Sequence, residues 1–191
     1  MKKPTTQSAD KRDAYHHGDL RRTLLEAAAN EIAANGAQGL SLASLARRAG
    51  VAQSAPYRHF ADRDELLVAV ATHGFEAFTK ALESAAEAGP EAGAVKRMFA
   101  AYLRFGEDNV QLYRLMFASG LVAGAPKGSE LLQAALASFR PLLDRVSDAS
   151  PKRARAAANA IWAQLHGFVM LKADGLLTEP SEELLEGLMV P

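Results

Sequence analysis

The 191-residue sequence contains no cysteine. Without thiols the chain can form no disulfide, no thiolate metal site and no cysteine nucleophile. We therefore expect a protein that folds in a reducing compartment, which makes the cytoplasm the expected location. Apolar residues make up 49% of the chain, enough for a substantial core without covalent cross-links.

Long apolar runs are missing as well. No segment approaches the roughly 20 consecutive apolar residues that span a bilayer. Lys2 and Lys3 lie near the start of the chain, but no apolar stretch of the kind found in signal peptides follows them. The sequence therefore predicts neither a membrane anchor nor a membrane partner.

The chain also lacks net charge, because 22 basic side chains balance 22 acidic ones. Binding to nucleic acid would depend on a local arrangement of charge rather than on the field of the whole molecule. Residues 1–66 carry ten basic and eight acidic side chains together with three of the five histidines. This weakly basic part is the better candidate for contact with an anionic polymer.

Signatures of enzymes are absent from the sequence. The segment GPEAGAVKR, residues 89–97, has glycines before a lysine but not the Gly-Lys-Ser/Thr order of a phosphate-binding loop. No HExxH motif, calcium-binding loop or nucleophile elbow occurs. His16 and His17 are adjacent and point apart, and no third ligand is suitably spaced for a metal. We expect no catalytic activity, no metal site and no cofactor.

Apolar residues recur with helical period along nearly the whole chain. Leu24, Ala28 and Ile32, for example, are spaced by four residues and precede Asn35-Gly36, a usual helix end. The same reasoning predicts helices over residues 18–35, 41–50, 51–60, 62–88, 95–109, 111–119, 132–146, 151–174 and 181–190. No segment alternates as a strand would, so the predicted class is all-α.

Several local signals refine this prediction. Ser41 is a good helix N-cap, and Asp62 followed three residues later by Glu65 resembles a capping box. Residues 120–128, rich in glycine, are expected to form a loop. Pro141 is expected to kink the helix that contains it, because an interior proline removes a backbone hydrogen bond.

Residues 41–60 have the pattern of two short helices separated by a turn at Gly50, which is the helix-turn-helix arrangement. In that arrangement the first short helix crosses the phosphate backbone of DNA and the second lies in the major groove. Ser41 combines a hydroxyl with free backbone N–H groups and so suits a phosphate. Gln53 and Ser54 lie in the first turn of the second helix and can reach base edges, where glutamine pairs with adenine.

The remaining side chains of the second short helix suit the same task. Ala55 and Pro56 offer the kind of apolar contact that a thymine methyl group uses. Tyr57 and His59 carry groups that can donate to phosphates, and Phe60 is expected to fold inward onto the core. An ordinary solvated face is the alternative interpretation of these polar side chains.

A longer stretch that includes this helix-turn-helix pattern resembles a known protein family. Residues 19–67, DLRRTLLEAAANEIAANGAQGLSLASLARRAGVAQSAPYRHFADRDELL, resemble the DNA-binding domain of the TetR family of bacterial transcriptional regulators. The preceding AYHHGDL, residues 14–20, resembles the arm of a subgroup of that family. The resemblance implies an all-α protein with a DNA-binding head over residues 1–66 and a helical ligand-binding and dimerisation body over residues 67–191.

The resemblance also implies roles for individual side chains. Those implied to contact DNA are Ser41 and the helix-turn-helix residues Gln53, Ser54, Ala55, Pro56, Tyr57 and His59, with Arg63 where the family often has a lysine, and Tyr15 and His17 from the arm. One position departs from the pattern. Ala52 stands where many members have a serine, so the usual cap of the third helix is absent.

The C-terminal part offers candidates for an effector site. Trp162 and the pair His166-Gly167 resemble the C-terminal domain of the same subgroup. Methionines and aromatic residues at helical spacing are suited to an apolar ligand but are more often part of a core. The candidates are Phe99, Tyr102, Met116, Phe117, Trp162, His166 and Met170.

Together these features predict a homodimeric regulator, expected to be a repressor that a small apolar effector releases from DNA. Its predicted partners are a palindromic duplex, a second copy of the chain joined through residues 128–174, and the effector. Two alternatives stay open. One is an activator or effector-independent DNA binder, and the other is a helical protein-interaction module that does not bind DNA.

Overall fold

The computed structural model describes residues 9–146 and 150–188, with the backbone alone for residues 9–19. The chain divides into two compact units, one ending at Val70 and the other beginning at Ala71. All regular structure in the described residues is helical, in agreement with the predicted all-α class. None of the described helices is both long enough and apolar enough to cross a membrane.

The first unit contains three elements and the start of a fourth. Its helices are α1 (Ala9–Asn35), α2 (Leu42–Arg48) and the beginning of α3 (Arg63–Glu87). Between α2 and α3 lies a single 3₁₀ turn, Pro56–Arg58. The order is that of the predicted helix-turn-helix domain.

The start of α3 has the predicted capping arrangement. The Asp62 carboxylate accepts a hydrogen bond from the backbone N–H of Glu65 at 2.8 Å. The Glu65 carboxylate in turn accepts one from the backbone N–H of Ala61 at 2.6 Å. Because two N–H groups without helical partners are satisfied in this way, the chain can turn sharply into α3.

The core of the first unit is formed by the apolar stripes seen in the sequence. Leu24, Ala28 and Ile32 of α1 are completely buried, as is Leu45 of α2. Phe60 is 1% exposed, which confirms that this ring folds inward. A fully buried phenylalanine typically contributes about 3–5 kcal/mol relative to alanine, so Phe60 is a principal anchor of the segment that precedes it.

Two predictions about this unit were wrong. The first helix begins at Ala9 rather than at residue 18, and residues 9–17 contain no proline that would interrupt it. Residues 51–60 do not form a continuous α-helix. Pro56 has no N–H to donate to the carbonyl of Ala52, so the segment is closed by tighter i→i−3 bonds, including His59 N–H to Pro56 O at 2.9 Å.

The second unit contains the rest of α3 and six further helices within the described residues. They are α4 (Ala94–Asp108), α5 (Val110–Ala118), α6 (Leu121–Gly124), α7 (Glu130–Leu143), α8 (Pro151–Ala173) and α9 (Ser181–Glu186). The one-turn helix α6 lies where the sequence predicts a loop. Pro141 is buried in the last turn of α7, and the helix continues to Leu143.

Helices α4 and α8 make the closest packing in the second unit. Gly106 of α4 is buried against Val169 of α8, and a Cβ atom placed on Gly106 would lie 2.6 Å from Cγ2 of Val169. A distance this short requires the backbone or Val169 to move, because valine has no flexible end that could yield. The glycine therefore permits the approach of the two helices.

Polar side chains join the ends of these helices. Lys172 of α8 forms an ion pair with Glu107 of α4 at 2.7 Å, and Ser181 of α9 donates a hydrogen bond to the same carboxylate. Burial alone would raise the pKa of Glu107, but Lys172 and Ser181 hold that pKa below its ordinary value. Arg114 of α5 binds both the carboxylate of Asp174 and the carbonyl of Ala173.

We predict that Gly106→Ala destabilises the second unit by about 1–3 kcal/mol, because the added methyl group overpacks the contact with Val169. Gly167→Ala is the matched control. No atom lies within 4 Å of the corresponding Cβ position in α8, so replacing a glycine inside a helix should stabilise by roughly 0.5–1 kcal/mol. Denaturant unfolding followed by the fluorescence of Trp162 measures both.

The double variant Gly106→Ala, Val169→Ala provides an independent check of the same contact. Its loss of stability should be smaller than the sum of the two single losses, because removing the valine methyl groups makes room for the new one. Strict additivity, or a Gly106→Ala variant as stable as Gly167→Ala, would contradict the packing described above.

Candidate nucleic-acid interface and ligand cavity

Ser41 caps α2 through a reciprocal pair of hydrogen bonds. Its hydroxyl oxygen accepts from the N–H of Ser44 at 3.0 Å, and Ser44 Oγ accepts from the N–H of Ser41 at 3.1 Å. The Ser41 side chain is exposed. The Ser41 hydroxyl itself donates to Ser44 Oγ at 3.0 Å, so it can cap the helix and donate to a phosphate oxygen only if its proton rotates away from Ser44.

The segment from Val51 to Phe60 presents polar side chains to solvent. Gln53 and Ser54 are exposed, and neither has a hydrogen bond to another described residue. Tyr57 is 55% exposed, which is high for an aromatic side chain. These three side chains therefore have donors and acceptors available for a ligand.

The other side chains predicted to contact DNA differ in exposure. Ala55 and His59 are half-buried, whereas Pro56 is buried. The proline ring helps to fix the turn in place but has little surface left to meet a base. The side chains of Tyr15 and His17 lie outside those that the structure describes, so their predicted roles stay predictions.

Arg63 is occupied by the protein itself. Its Nε donates to the carbonyl of Leu40 at 2.9 Å, and one terminal nitrogen donates to the carbonyl of Ala37 at 2.7 Å. These bonds tie the first turn of α3 to the loop between α1 and α2. The other terminal nitrogen is 3.7 Å from the carboxylate of Asp64, so the guanidinium has three partners before any DNA is present.

Two arginines that the sequence did not single out lie near the exposed segment. Arg47 at the end of α2 and Arg58 in the 3₁₀ turn are exposed, and neither forms an ion pair with a described residue. Arg48 differs, because it pairs with the buried carboxylate of Glu31 at 2.5 Å. Only the spatial neighbours distinguish these arginines, and no local sequence signal does so.

The second unit contains a cavity of about 440 Å³. Side chains from α3, α5, α6, α7 and α8 line it. The aromatic part of the wall consists of Phe75, Phe78, Phe117, Phe139 and Trp162, and the aliphatic part includes Val122, Leu132 and Leu136. Its volume lies in the range of about 300–1,000 Å³ that small-molecule sites occupy.

Three polar side chains line this cavity among the described residues. Ser138 is buried, and its hydroxyl donates to the carbonyl of Ala135 at 2.7 Å. Arg155 and Asn159 are exposed residues of α8. The cavity is therefore apolar inside and polar where α8 meets solvent.

The seven predicted effector residues are not all found at the cavity. Phe117 and Trp162 line it. Phe99 and Tyr102 border a separate space of about 10 Å³, room for about one water molecule. Met116 is buried in the core, where its sulfur would lie 2.8 Å from a Cβ placed on Gly74. Met170 lines neither space.

His166 belongs to a row of hydrogen bonds behind the cavity wall. The hydroxyls of Tyr102 and Tyr113 are 2.8 Å apart, and Tyr113 Oη is 2.8 Å from His166 Nδ1. Burial raises the pKa of both tyrosines and lowers that of His166. At neutral pH all three side chains are uncharged, so the two tyrosine hydroxyls and His166 Nδ1 are hydrogen-bonded without an ion in the core.

Phe75, Phe78 and Phe139 were missed as cavity residues. Each lies on an apolar helical stripe and has the same sequence spacing as a core residue. The rings of Phe139 and Trp162 meet edge to face with centroids 6.3 Å apart. Phe75 likewise meets Phe117 edge to face at 5.0 Å, and only the packing of five helices shows that these contacting rings also border an open space.

The first unit defines the class of protein: a helix-turn-helix domain with an exposed polar segment after the turn. Residues 24–70 match the family described as bacterial regulatory proteins, tetR family. Residues 95–190 match the domain described as tetracyclin repressor-like, C-terminal domain. The chain belongs to the tetR family and is a transcription regulator with a DNA-binding helix-turn-helix domain.

Solved structures share this fold over most of their length. A protein of unknown function from Rhodococcus sp. RHA1 is 36% identical, with a TM-score of 0.78 over 91% of this chain and 93% of that one. A candidate regulatory protein, SCO4313, is 25% identical, with a TM-score of 0.71 over 91% and 95%.

A TetR family member from Streptomyces coelicolor A3, SCO1917, is 20% identical, with a TM-score of 0.64 over 87% of this chain and 94% of that one. At this identity the likeness shows the fold alone. No curated protein has significant sequence similarity to the chain.

We predict that Arg63→Lys lowers the stability of the first unit by about 1–2 kcal/mol. Lysine keeps the charge but cannot reach both the Leu40 and Ala37 carbonyls with one planar fork. Arg58→Lys, which changes an exposed arginine without these bonds, is the control and should leave stability unchanged. Thermal unfolding followed by circular dichroism measures the difference. Equal stability of the two variants would contradict the structural role of Arg63.

We also predict that His166 makes the second unit less stable as pH falls from about 7.5 to 5.5. Its folded pKa lies below its ordinary value because of burial, so the unfolded chain binds the proton first. Stability is complete above the unfolded pKa of about 6.5 and is lost as pH approaches the folded pKa.

The matched variant His166→Gln should reduce this pH dependence. Unfolding midpoints reported by Trp162 fluorescence, measured at several pH values, give the slope for both proteins. The window lies above the range where Glu107 titrates, because the pKa of Glu107 is also lowered. Identical slopes in the two proteins would show that His166 does not carry this effect.

Proposed function

We propose that this regulator binds a specific palindromic duplex through residues 41–60 and represses transcription until a small molecule enters the cavity of the second unit. The observation that carries the DNA contact is the exposed trio Gln53, Ser54 and Tyr57 on a segment anchored by the buried ring of Phe60. The regulator acts in the cytoplasm, and catalysis has no part in it.

Base recognition falls to Gln53 and Ser54. Both are exposed and have no hydrogen bond to another described residue, so binding a base does not require breaking bonds within the protein. A glutamine amide can bond the N6 and N7 atoms of adenine together, worth about 1–3 kcal/mol of discrimination. The half-buried Ala55 supplies a smaller apolar contact, and the buried Pro56 supports the turn.

Phosphate binding falls to the side chains around that pair. Ser41 and Tyr57 donate hydroxyl protons, and Arg47 and Arg58 supply charge that no described acid neutralises. His59, half-buried beside them, is a weaker candidate. Arg63 contributes indirectly, because it holds the loop before α2 through the carbonyls of Ala37 and Leu40. The predicted arm residues Tyr15 and His17 would extend this set.

A homodimer is part of the proposal, since a palindromic site requires two copies related by twofold symmetry. The two helix-turn-helix domains would then occupy half-sites about 34 Å apart. An effector bound in the cavity would weaken DNA binding only to the extent that it prefers a state of the protein that binds DNA less well.

Each of the two competing proposals predicts an observation that differs from those expected here. An effector-independent regulator predicts a cavity that no small molecule enters. A protein-interaction module predicts no preference among DNA sequences. The 440 Å³ cavity argues against the first, and the unpaired exposed arginines argue against the second.

Fluorescence anisotropy with duplexes from the DNA flanking the gene tests the DNA contact. Gln53→Ala should shift the preference at one base pair by about 1–3 kcal/mol, whereas Tyr57→Ala should weaken binding to all sequences alike. Gln38→Ala, an exposed glutamine in the loop before α2, is the matched control and should bind as the unmodified protein does. If Gln53→Ala and Gln38→Ala behave alike at every base, Gln53 does not read the sequence.

A further inference from the structure

The cavity in the second unit is lined by a single charged side chain within the described residues, Arg155. All five aromatic residues and all aliphatic residues in the wall are uncharged, and no acidic side chain lines the space. The cavity is therefore apolar with one fixed positive charge, and an arginine keeps its charge at every physiological pH.

The side chains that α8 contributes to the cavity change from polar to apolar along one face of the helix. Arg155, Asn159 and Trp162 are spaced by four and three residues, so they lie in one row along the helix. Arg155 and Asn159 are exposed, and the indole of Trp162 is 38% exposed. The polar end of the row lies at the solvent-facing rim, and the aromatic end lies at the cavity wall.

The guanidinium of Arg155 is available to a ligand. Its Cζ lies 5.9 Å from the ring centroid of Phe139, another wall residue, a distance at which the ring holds the cation weakly over its face. No ion pair joins Arg155 to any described residue, and the neighbouring Asn159 has no hydrogen bond to one. The rim thus offers a positive fork and an amide to which no carboxylate of the described residues is bound.

We propose that the cavity binds an amphipathic organic anion, with its apolar part among the aromatic rings and its anionic group on Arg155 and Asn159. A carboxylate matches the planar fork of arginine and accepts from the asparagine amide as well. This assignment deepens the proposed effector role. The ligand class rests on the cavity, and only its consequence for DNA binding rests on the proposed function.

Two other ligand classes fit parts of the cavity less well. A purely apolar molecule would leave the rim donors unused. An amphipathic cation would gain from the aromatic rings but would bring its charge toward Arg155. An amphipathic anion places its apolar part against the wall and its charge beside the rim donors. The test therefore compares an anionic, a neutral and a cationic probe.

Trp162 is the only tryptophan in the chain and lines the cavity, so its fluorescence reports binding without a label. The purified full chain is titrated with octanoate, 1-octanol and octyltrimethylammonium, which share one apolar tail. Octanoate should bind about two- to fivefold more tightly than octanol, the value of a partly exposed ion pair, and the cation most weakly. The advantage of octanoate should shrink at high salt.

Three variants test which residues produce the preference for octanoate over octanol. Arg155→Gln should reduce the affinity for octanoate to that for octanol while leaving octanol binding unchanged. Lys152→Gln removes the same charge from an exposed residue of α8 that does not line the cavity, and it should change nothing. Ala135→Phe should weaken the binding of octanoate and octanol alike, because the new ring takes up part of the space that their shared tail needs. Circular dichroism confirms that each variant is folded.

Three results would overturn the proposal: octanoate binding no tighter than octanol, the same preference persisting in Arg155→Gln, or no probe binding at all. The proposed function is tested separately by anisotropy with DNA. Tight octanoate binding that leaves DNA affinity unchanged would support the ligand class and contradict effector release. Absence of DNA binding would contradict the regulator without touching the fluorescence result.

Discussion

Burial of the Phe60 ring, at 1% exposure, fixes the segment on which the proposed DNA contact depends. From Val51 to Phe60 the chain has a single 3₁₀ turn as regular structure, and a stretch this short does not persist as a helix in water. Its conformation must come from side chains at its end. With Pro56 and Phe60 buried, Gln53, Ser54 and Tyr57 are left on the outside in defined positions.

Arg63 extends the same anchoring to α2. Its two bonds to loop carbonyls connect the start of α3 to the chain just before Ser41. An arginine that forms such a fork loses conformational freedom but supplies donors to two loop carbonyls, those of Ala37 and Leu40. The side chain that resembles a DNA contact in sequence is thus part of the frame that positions Ser41.

The second unit combines one very tight contact with one open space. Gly106 allows α4 to approach Val169 of α8 closely, while Trp162, two turns earlier on the same face of α8, borders the cavity. The Tyr102, Tyr113 and His166 row fills the region between with hydrogen bonds rather than charge. Because this wall is uncharged, the selection of a ligand by its charge depends on the rim residues Arg155 and Asn159.

The sequence predicted the features that are encoded locally. Helical period identified the stripes of Leu24 and Ile32, capping chemistry identified Ser41 and Asp62, and Gly50 marked the turn after α2. The bonds of Arg63, the space beside Trp162 and the burial of Pro56 depend on residues distant in the chain. No spacing distinguishes Phe139, which lines the cavity, from Phe99, which does not.

The most direct measurement is selection of bound duplexes from a fully randomised pool, with the unmodified chain and Gln53→Ala in parallel. If residues 51–60 of both copies in a dimer contact bases, the selected pool should be enriched in an inverted repeat. The centres of its half-sites should lie about one helical turn apart. The variant should lose preference at one symmetric pair of positions. A pool that shows no enrichment with the unmodified chain, or the same consensus with both proteins, would contradict the account.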